Sequence, residues 1–357
     1  MKFTKVLSLV PCGLFAFVFA FSSWAADYPA PKEGNWIVRD FQFHTGENLP
    51  ELRMNYLTVS EPSGEPVLIL HGTGGAGTNF LNNDFAGELF GPGQPLDATR
   101  YFIIIPDAIG AGKSSKPSDG LRMKFPRYNS DDLVRANHRL VTEHLGVRRL
   151  RLVMGSSGGC MQAWIWGIMY PDFMETLVPL ACMPVELSGR NWMTRRMMIE
   201  LIRSDPEWNG GNYTKQPRSL QLAQTSFSIA TSGGTRALQK AAPTREKADQ
   251  LVDQRLAQTP RSDANDVIYQ YESARDYNPS SKLDQIKARV LAINAEDDER
   301  NPVELGVMER EIKRVAQGRY VLVPGSDETA GHGTTGRAKW WKNYLAEFLR
   351  PVDRAAR

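Results

Sequence analysis

One stretch near the middle of the chain decides the fold: Leu150-Arg-Leu-Val-Met154, then Gly155-Ser-Ser-Gly-Gly159, then the apolar run Met161 to Tyr170. The first run is short and apolar, as a buried parallel strand is, and the last has the pattern of a helix. The glycines two residues before and two after Ser157 permit a turn in which larger side chains would collide with neighbouring backbone. This G-x-S-x-G pattern between a strand and a helix predicts a strained, exposed nucleophile at Ser157. An ordinary glycine-rich turn is the alternative interpretation.

The same alternation of apolar runs and helical patterns continues on both sides of this stretch. The strand-like runs are Trp36 to Phe43, Leu49 to Val59, Val67 to Leu70, Tyr101 to Ile105, Leu150 to Met154, Leu177 to Cys182, Val290 to Ile293 and Tyr320 to Val323. The helical patterns are Asp131 to Leu145, Met161 to Tyr170, Val303 to Val315 and Arg337 to Leu349. The first two strands are expected to be antiparallel. The alternation predicts an α/β protein with a mostly parallel, eight-stranded sheet flanked by helices.

The stretch from residue 183 to residue 287 breaks this alternation. It is polar, is rich in Arg, Gln and Met, and predicts several helices without strands. A helical insertion after the sixth strand would lie over the carboxyl ends of the strands, where open α/β sheets bind ligands. We therefore interpret residues 26–182 and 288–357 as one core domain and residues 183–287 as a helical cap over its site. A separate helical domain with no part in the site is the alternative.

A serine hydroxyl needs a base to take its proton, and His332 is the candidate among five histidines. It lies in a glycine-flanked loop after the last strand, where the order serine, acid, histidine along the chain predicts the base. Four acidic residues, Glu296 to Glu299, follow the seventh strand. Asp298 stands four residues before Pro302, at the expected start of the next helix, and is predicted to orient the imidazole. Asp297 is the alternative.

Two backbone amides are predicted to hold the oxyanion of a tetrahedral intermediate. One belongs to Gly158, directly after the serine, and the other to Thr73, in the loop His71-Gly-Thr-Gly-Gly75 after the third strand. The glycines from Gly72 to Gly77 also match G-x-G-x-x-G, the pattern of a dinucleotide site. They follow the third strand rather than the first, and an oxyanion loop accounts for the same glycines. We therefore reject a dinucleotide site.

The composition excludes several other classes of protein. Hydrophobic residues make up 41% and charged residues 23% of the chain, as in globular proteins. Removing Lys2 and Lys5, which lie in a segment expected to be cleaved, from the 43 basic residues leaves 41 against 40 acidic ones. This balance gives no electrostatic case for nucleic acid or an anionic membrane surface as a partner. The three cysteines show no zinc-site spacing. A small-molecule ester is the expected partner, and the chemistry needs no metal or organic cofactor.

The amino terminus has the pattern of a secretory signal. Lys2 and Lys5 precede an apolar run from Val6 to Phe21, and Ser23-Trp-Ala25 has small residues at the positions that a signal peptidase reads. We predict cleavage after Ala25 and a secreted or periplasmic mature protein. The alternative is a membrane anchor, which needs roughly 20 predominantly apolar residues, more than this run contains.

Motifs along nearly the whole mature chain resemble those of the homoserine O-acetyltransferase family of α/β hydrolases. They are Gly91-Pro-Gly93, Leu96 to Phe102, Asp132 to Ala136, His144-Leu-Gly146, Gly155 to Ala163, Tyr170-Pro-Asp172 and Ser204 to Tyr213. The resemblance implies the α/β-hydrolase fold and a triad of Ser157, Asp298 and His332, in agreement with the pattern of the residues themselves. It also suggests a homodimer.

The chain departs from the family at two positions that bind the substrate. The family's arginine in the first cap helix, which binds the substrate carboxylate, aligns with Ile199, and Arg195 and Arg196 lie a turn earlier. Either arginine could replace it only if the helix shifts. The family's aspartate after the catalytic histidine, which helps to hold the substrate amine, is Gly333 here. Because a buried charge without its partner is costly, we expect homoserine to bind poorly.

These residues together predict an exported serine hydrolase that cleaves a carboxylic ester through an acyl-enzyme on Ser157. The alternative is an O-acyltransferase that passes the acyl group to a small alcohol, which is the chemistry of the family. The two departures, and export away from acetyl-CoA, favour hydrolysis.

The positions of two cysteines raise the question of a disulfide. Cys160 lies in the first turn after the serine, and Cys182 lies at the end of the next strand, so the two are expected to be neighbours. A bridge is therefore a hypothesis in an oxidising compartment. We favour the alternative of two buried thiols.

Overall fold

A computed structural model describes residues 27–260 and 262–350 of the chain. Its centre is one eight-stranded sheet in the order β1-β2-β4-β3-β5-β6-β7-β8. The strands are β1 Lys32–Gln42, β2 Asn48–Val59, β3 Glu65–Leu70, β4 Tyr101–Pro106, β5 Leu150–Ser156, β6 Met174–Leu180, β7 Arg289–Ala295 and β8 Gly318–Val323. The pairs β1–β2 and β2–β4 are antiparallel, and the other neighbours are parallel. The predicted α/β class and mostly parallel sheet are confirmed.

Half of the α-helices in the described ranges lie in the insertion between β6 and β7. The helices are α1 Ala86–Leu89, α2 Ser130–Arg139, α3 Gly158–Met169, α4 Gly189–Arg203, α5 Arg218–Thr231, α6 Thr235–Ala241, α7 Arg245–Leu256, α8 Ala264–Glu272, α9 Val307–Glu311 and α10 Lys342–Leu349. We call residues 183–287, which contain α4 to α8, the cap, and the remainder of the described chain the core. Among the helices of the described ranges, none has the length and apolar character needed to cross a membrane.

The two faces of the sheet bury separate apolar clusters. On one face, Trp164 and Trp166 of α3 are fully buried among side chains of the parallel strands. On the other face, Phe85, Phe90 and Trp341 pack against the opposite side chains of the same strands and against α10. Burying such large aromatic side chains removes apolar surface from water, which stabilises both helix layers on the sheet.

The cap has an apolar cluster of its own. Its members include Ile199 and Ile202 of α4, Phe227 of α5, and Ile268 of α8. Hydrogen bonds also join the cap to the core: Asn191 Nδ2 donates to the carbonyl of Arg300, which follows β7, at 3.2 Å. The cap is therefore a packed unit fixed to the loop at the carboxyl end of β7.

Two of the predicted elements differ from the structure because of the φ of a single residue. The sixth strand, predicted from Leu177 to Cys182, spans Met174–Leu180, because Ala181 takes a φ of +59° that ends the extended backbone. The helix predicted from Val303 to Val315 is broken, because Gly306 takes a left-handed φ of +58° between a short 3-10 turn and α9. Sequence periodicity did not reveal either interruption, since each depends on the φ of a single residue.

Candidate active site

The serine turn between β5 and α3 has the close backbone packing that its glycines predict. Ser157 has a φ of +55° and a ψ of −113°, a strained combination for a residue with a side chain. A Cβ built on Gly155 would lie 2.1 Å from the carbonyl oxygen of Gly159, and one built on Gly159 would lie 2.0 Å from the carbonyl oxygen of Leu70. Only glycine fits at these two positions. The Ser157 amide donates to the carbonyl of Leu180 at 2.8 Å, which ties the turn to β6.

The structure brings the three predicted triad side chains together. His332 Nε2 lies 2.9 Å from Ser157 Oγ, and His332 Nδ1 lies 2.8 Å from Asp298 Oδ2. With a proton on Nδ1, the ring donates to the carboxylate, and its free Nε2 accepts the proton of the serine hydroxyl. This arrangement can activate Ser157 as a nucleophile.

The two candidate acids have different positions. Asp298 is 2% exposed and meets His332, whereas Asp297 accepts from Thr329 Oγ1 at 2.7 Å and from the Gly331 amide at 3.1 Å. Asp297 therefore holds the loop that carries the histidine. Burial acts to raise the pKa of Asp298, but the charge of His332 and hydrogen bonds from three donors outweigh it and lower that pKa. Asp298 thus stays ionised beside the imidazole.

The surroundings of His332 favour its neutral form. Burial lowers the pKa of the imidazole, and the positive charges of Arg300 and Arg195 lower it further, while Asp298 opposes them. The net direction is downward from the ordinary value of 6.5. At neutral pH the ring is therefore free to accept the serine proton.

The two predicted oxyanion donors lie on touching loops. A Cβ built on Gly158 would lie 2.8 Å from the amide nitrogen of Thr73, so the two backbones are in direct contact beside the serine. His71, which the sequence placed only at a strand end, holds this loop. Its Nδ1 donates to the Gly72 carbonyl at 2.9 Å, and its Nε2 accepts from the Ala108 amide at 2.9 Å.

The remaining three histidines have structural contacts away from the serine. His44 pairs with Asp132, and His144 contacts the hydroxyl of Tyr56 at 2.8 Å. The ring of His138 stacks on that of Tyr170 with centroids 3.8 Å apart. His332 is therefore the histidine that faces Ser157, as predicted.

Arg195 of α4 lies beside the site, although the sequence alignment put Ile199 at the position of the family's arginine. Ile199 is fully buried in the apolar cluster of the cap. Arg195 is only 1% exposed, and its positive charge lowers the pKa of His332. Burial, with a smaller contribution from Arg300, lowers the pKa of Arg195 to about 10. Its Nε donates to Asn191, and its Nη1 has no hydrogen-bond partner among the described residues. The cap therefore does contain a buried arginine, one turn before the position at which the alignment sought it.

Cys160 and Cys182 form a disulfide, with Cα atoms 5.9 Å apart. The preference for two buried thiols is therefore wrong. The bridge forms because β5 and β6 are neighbours and the serine turn brings the first turn of α3 back over the end of β6. The bridge ties α3, the helix that follows Ser157, to the end of β6, the strand whose Leu180 carbonyl accepts the hydrogen bond from the Ser157 amide.

Two other predictions concern the amino terminus and metal binding. The predicted signal sequence, residues 1–25, lies outside the described residues. In the two described ranges, no cluster of three or more His, Cys, Asp and Glu side chains is arranged to hold a metal ion.

Comparisons with known proteins identify the family. A family model for the alpha/beta hydrolase fold matches residues 65–351. A probable acyltransferase of Methanothermobacter thermautotrophicus is 30% identical over 276 residues, which cover 75% of this chain and 83% of that protein. The homoserine O-acetyltransferase of Moorella thermoacetica is 34% identical over 205 residues, but the match covers only 50% of this chain and 53% of that protein.

A solved structure agrees in fold. An acetylester hydrolase from Corynebacterium glutamicum superimposes with a TM-score of 0.77 at 20% identity, covering 90% of this chain and 96% of that one. A likeness at this identity shows the fold alone. The sheet, the matched family and the sequence relatives agree with one another. The chain belongs to the α/β-hydrolase fold family of enzymes and, within it, is similar to acyltransferases that include homoserine O-acetyltransferases.

Proposed function

We propose that this chain is a serine enzyme that moves an acyl group through a covalent acyl-enzyme on Ser157. One observation carries the proposal: His332 Nε2 is 2.9 Å from Ser157 Oγ while its Nδ1 faces the buried carboxylate of Asp298. This is the hydrogen-bond chain that a serine hydroxyl needs to become a nucleophile.

In the first half of the reaction, Ser157 Oγ attacks the carbonyl carbon of an ester or thioester and its proton moves to His332 Nε2. The Thr73 and Gly158 amides hold the negative charge that develops on the carbonyl oxygen. When the intermediate collapses, the bond to the leaving group breaks and the leaving group takes the proton from Nε2. The acyl group remains on the serine.

In the second half, an acceptor hydroxyl attacks the acyl-enzyme and gives its proton to His332 Nε2. That proton then returns to Ser157 Oγ as the acyl–serine bond breaks. Water as the acceptor gives a free acid, and an alcohol gives a new ester. The triad is the same in both cases, so the groups that surround the acceptor determine which product forms.

Transfer to a small alcohol is the first candidate. The two sequence relatives are described as a probable acyltransferase and a homoserine O-acetyltransferase, which favours transfer over the hydrolysis expected from the sequence. Arg195 supports the same choice, because its buried Nη1 has no partner in the described chain and suits a carboxylate on the acceptor. The acceptor would then be an alcohol that carries an acid group.

Hydrolysis is the second candidate, and a specific residue favours it. Gly333 follows His332 and has no side chain to hold an amine. An amino-acid alcohol would therefore keep only one of the two charge partners that the family supplies. The predicted export of the chain also separates it from acetyl-CoA.

Active-site labelling tests the nucleophile. A fluorophosphonate probe should label the folded protein, and Ser157→Ala should abolish both labelling and turnover of short-chain aryl esters. Ser156→Ala is the matched control, because it removes the neighbouring hydroxyl and should retain labelling. Labelling of the Ser157→Ala protein would contradict the assignment.

Product analysis separates the two acceptors. The protein would be supplied with an acetyl ester, or with acetyl-CoA, together with homoserine or a small hydroxy acid, and the products identified by mass spectrometry. An acetylated alcohol as the main product supports transfer. Free acetate alone, with every alcohol tested, would establish hydrolysis in its place.

We also propose the export and assembly that the sequence predicts. Cleavage after Ala25 would release a periplasmic or secreted protein whose first residue is Ala26, which amino-terminal sequencing of the exported protein tests. The family resemblance is the basis for a homodimer, which sedimentation of the mature protein tests. A mature protein that retains residues 1–25, or that sediments as a monomer, would contradict the respective proposal.

A further inference from the structure

A small cavity lies against the oxyanion loops, on the side formed by α2 and α8. The loop residues 72–74 and Gly158 line it on one side, and Tyr128, Gln162 and Gln270 are among the residues on the other sides. The space open to the centres of water-sized molecules is about 30 Å³. This is room for about two waters, or for two or three non-hydrogen atoms of a ligand.

The position of this cavity suits the acyl chain of the substrate. The leaving group receives its proton from His332, so it must lie on the side of the imidazole. The carbonyl oxygen must point at the amides of Thr73 and Gly158. Among the described residues that line the cavity, none is His332, Asp298 or a residue of α4. The third substituent of the carbonyl carbon, the acyl chain, is therefore the part that enters the cavity.

Two polar atoms of the lining residues lack partners. Tyr128 is 4% exposed, and within the described ranges its Oη makes no hydrogen bond; the same is true of Gln270 Oε1. Gln270 Nε2 donates to the Gly110 carbonyl at 2.5 Å, which fixes the amide so that Oε1 faces away from that carbonyl. Burying a polar atom without a partner is unfavourable, so each of these atoms suits a ligand group that bonds to it.

Both atoms lie near the same part of the backbone. A Cβ built on Gly110 would lie 1.8 Å from Tyr128 Oη, and Gln270 bonds to the carbonyl of that same glycine. A Cβ built on Gly74, in the oxyanion loop, would lie 3.7 Å from Gln270 Oε1. Burial, and then the charges of Asp266 and Tyr269, raise the pKa of Tyr128 well above 10, so its hydroxyl keeps its proton and can donate.

We propose that the acyl group is short and carries a hydroxyl, which accepts a hydrogen bond from Tyr128 Oη and donates one to Gln270 Oε1. The inference rests on the proposed acyl-enzyme on Ser157. A hydroxyl can both donate and accept, so it satisfies both atoms at once. An alkyl group of the same size leaves both unpaired, and a carboxylate would set an anion against the amide oxygen of Gln270. The glycolyl group, with two carbons and one hydroxyl, has the size that the cavity accommodates.

The test compares p-nitrophenyl esters of glycolic and propionic acids, whose acyl groups have equal numbers of non-hydrogen atoms. The ratio of their kcat/KM values is measured for the wild type and for Tyr128→Phe and Gln270→Met. Each variant removes one polar partner and should lower the glycolyl-to-propionyl ratio by about five- to tenfold. Intrinsic differences in ester reactivity cancel when ratios are compared between proteins.

Tyr269→Phe is the matched control. The Tyr269 hydroxyl donates to the Phe125 carbonyl at 2.5 Å, and Tyr269 is absent from the described lining of this cavity. Its loss should leave the ratio unchanged. Turnover of propionyl esters through Ser157, with the ratio unchanged in both test variants, would overturn this inference and leave the proposed function standing. Failure of the fluorophosphonate probe to label Ser157 would remove both.

Discussion

The triad and the cap differ in how their buried polar groups are paired around the site. In the core, Ser157, His332 and Asp298 form a continuous chain of hydrogen bonds, and Asp298 also accepts from the Arg300 amide and from Asn301. In the cap, Arg195 Nη1 and Gln270 Oε1 have no partner among the described residues.

This difference separates the chemistry of the site from its choice of substrate. A fully paired triad is preorganised, so binding of the substrate does not have to reorder it. Unpaired cap groups are more costly in the empty site than in the occupied one, so a ligand that bonds to them gains affinity. Substitutions in the triad should therefore reduce turnover of every substrate, whereas substitutions of the unpaired cap groups should change which substrates are preferred.

The largest effect is expected from substituting Asp298, the acid in the hydrogen-bond chain of the triad. Asp298→Asn should lower kcat by roughly 10³- to 10⁴-fold for all esters, because the amide no longer holds the required imidazole tautomer. Steady-state kinetics with acetyl and propionyl esters measure it. Asp297→Asn is the matched control and should cost much less, since Asp297 holds only the loop. A larger loss in Asp297→Asn would exchange the roles of the two acids.

The disulfide offers a test of the stability of the core. The bridge closes a loop with a sequence separation of 22 residues. Replacing Cys160 and Cys182 together by Ala should lower the free energy of unfolding by about 3 kcal/mol, as measured by urea denaturation. Counting thiols in the denatured, unreduced mature protein provides the control: no free thiol is expected at these positions, and two would contradict the bridge.

A substitution in the cap should separate specificity from stability. Arg195→Met should lower kcat/KM for acceptors that carry a carboxylate by about 10- to 100-fold, because the buried cation is lost. Stability should be unchanged or higher, since the variant removes a buried charge without an acidic partner. Arg196→Met is the control, because Arg196 is paired with Glu200 at 2.9 Å. Equal losses with acidic and neutral acceptors would exclude Arg195 from acceptor binding.

The smallest expected effect is in the pH profile. The acid limb of kcat/KM should lie below pH 6.5, because burial and the two arginines lower the pKa of His332. Arg195→Met should move that limb to higher pH. The unfolded chain binds the proton more readily than the folded one, so the contribution of His332 to stability falls as the pH drops through 6.5. A limb that is unchanged in the variant would contradict the influence of Arg195 on His332.

The sequence predicted which side chains meet at Ser157 because the signals for them are local. The glycines around Ser157 must be glycines for steric reasons, and His332 and Asp298 each follow a strand that its apolar run identifies. Parallel strands end at the same edge of the sheet, so residues far apart in the chain meet there. The spacing to Pro302 favoured Asp298 over Asp297, and the observed hydrogen bonds agree with that choice.

The cap was harder to predict because its contacts depend on how helices pack. An alignment without gaps placed Ile199 where an arginine was sought, yet packing of α4 buries Arg195 near His332 instead. The role of Gln270 had no sequence signal, since it arises from the approach of α8 to the Gly110 backbone. The disulfide needed the distance between two strand ends, which apolar periodicity does not provide.

The imidazole of His71 has a mechanical consequence. The ring makes hydrogen bonds to Gly72, which follows β3, and to Ala108, which follows β4. One side chain therefore joins the loops that follow these two strands. The amide of Thr73 therefore cannot drift away from its neighbours during turnover unless the end of β4 moves as well. His71 is buried, so dissolved ions should affect its hydrogen bonds little. The geometry proposed to receive the negative charge should therefore stay constant over a broad range of ionic strength.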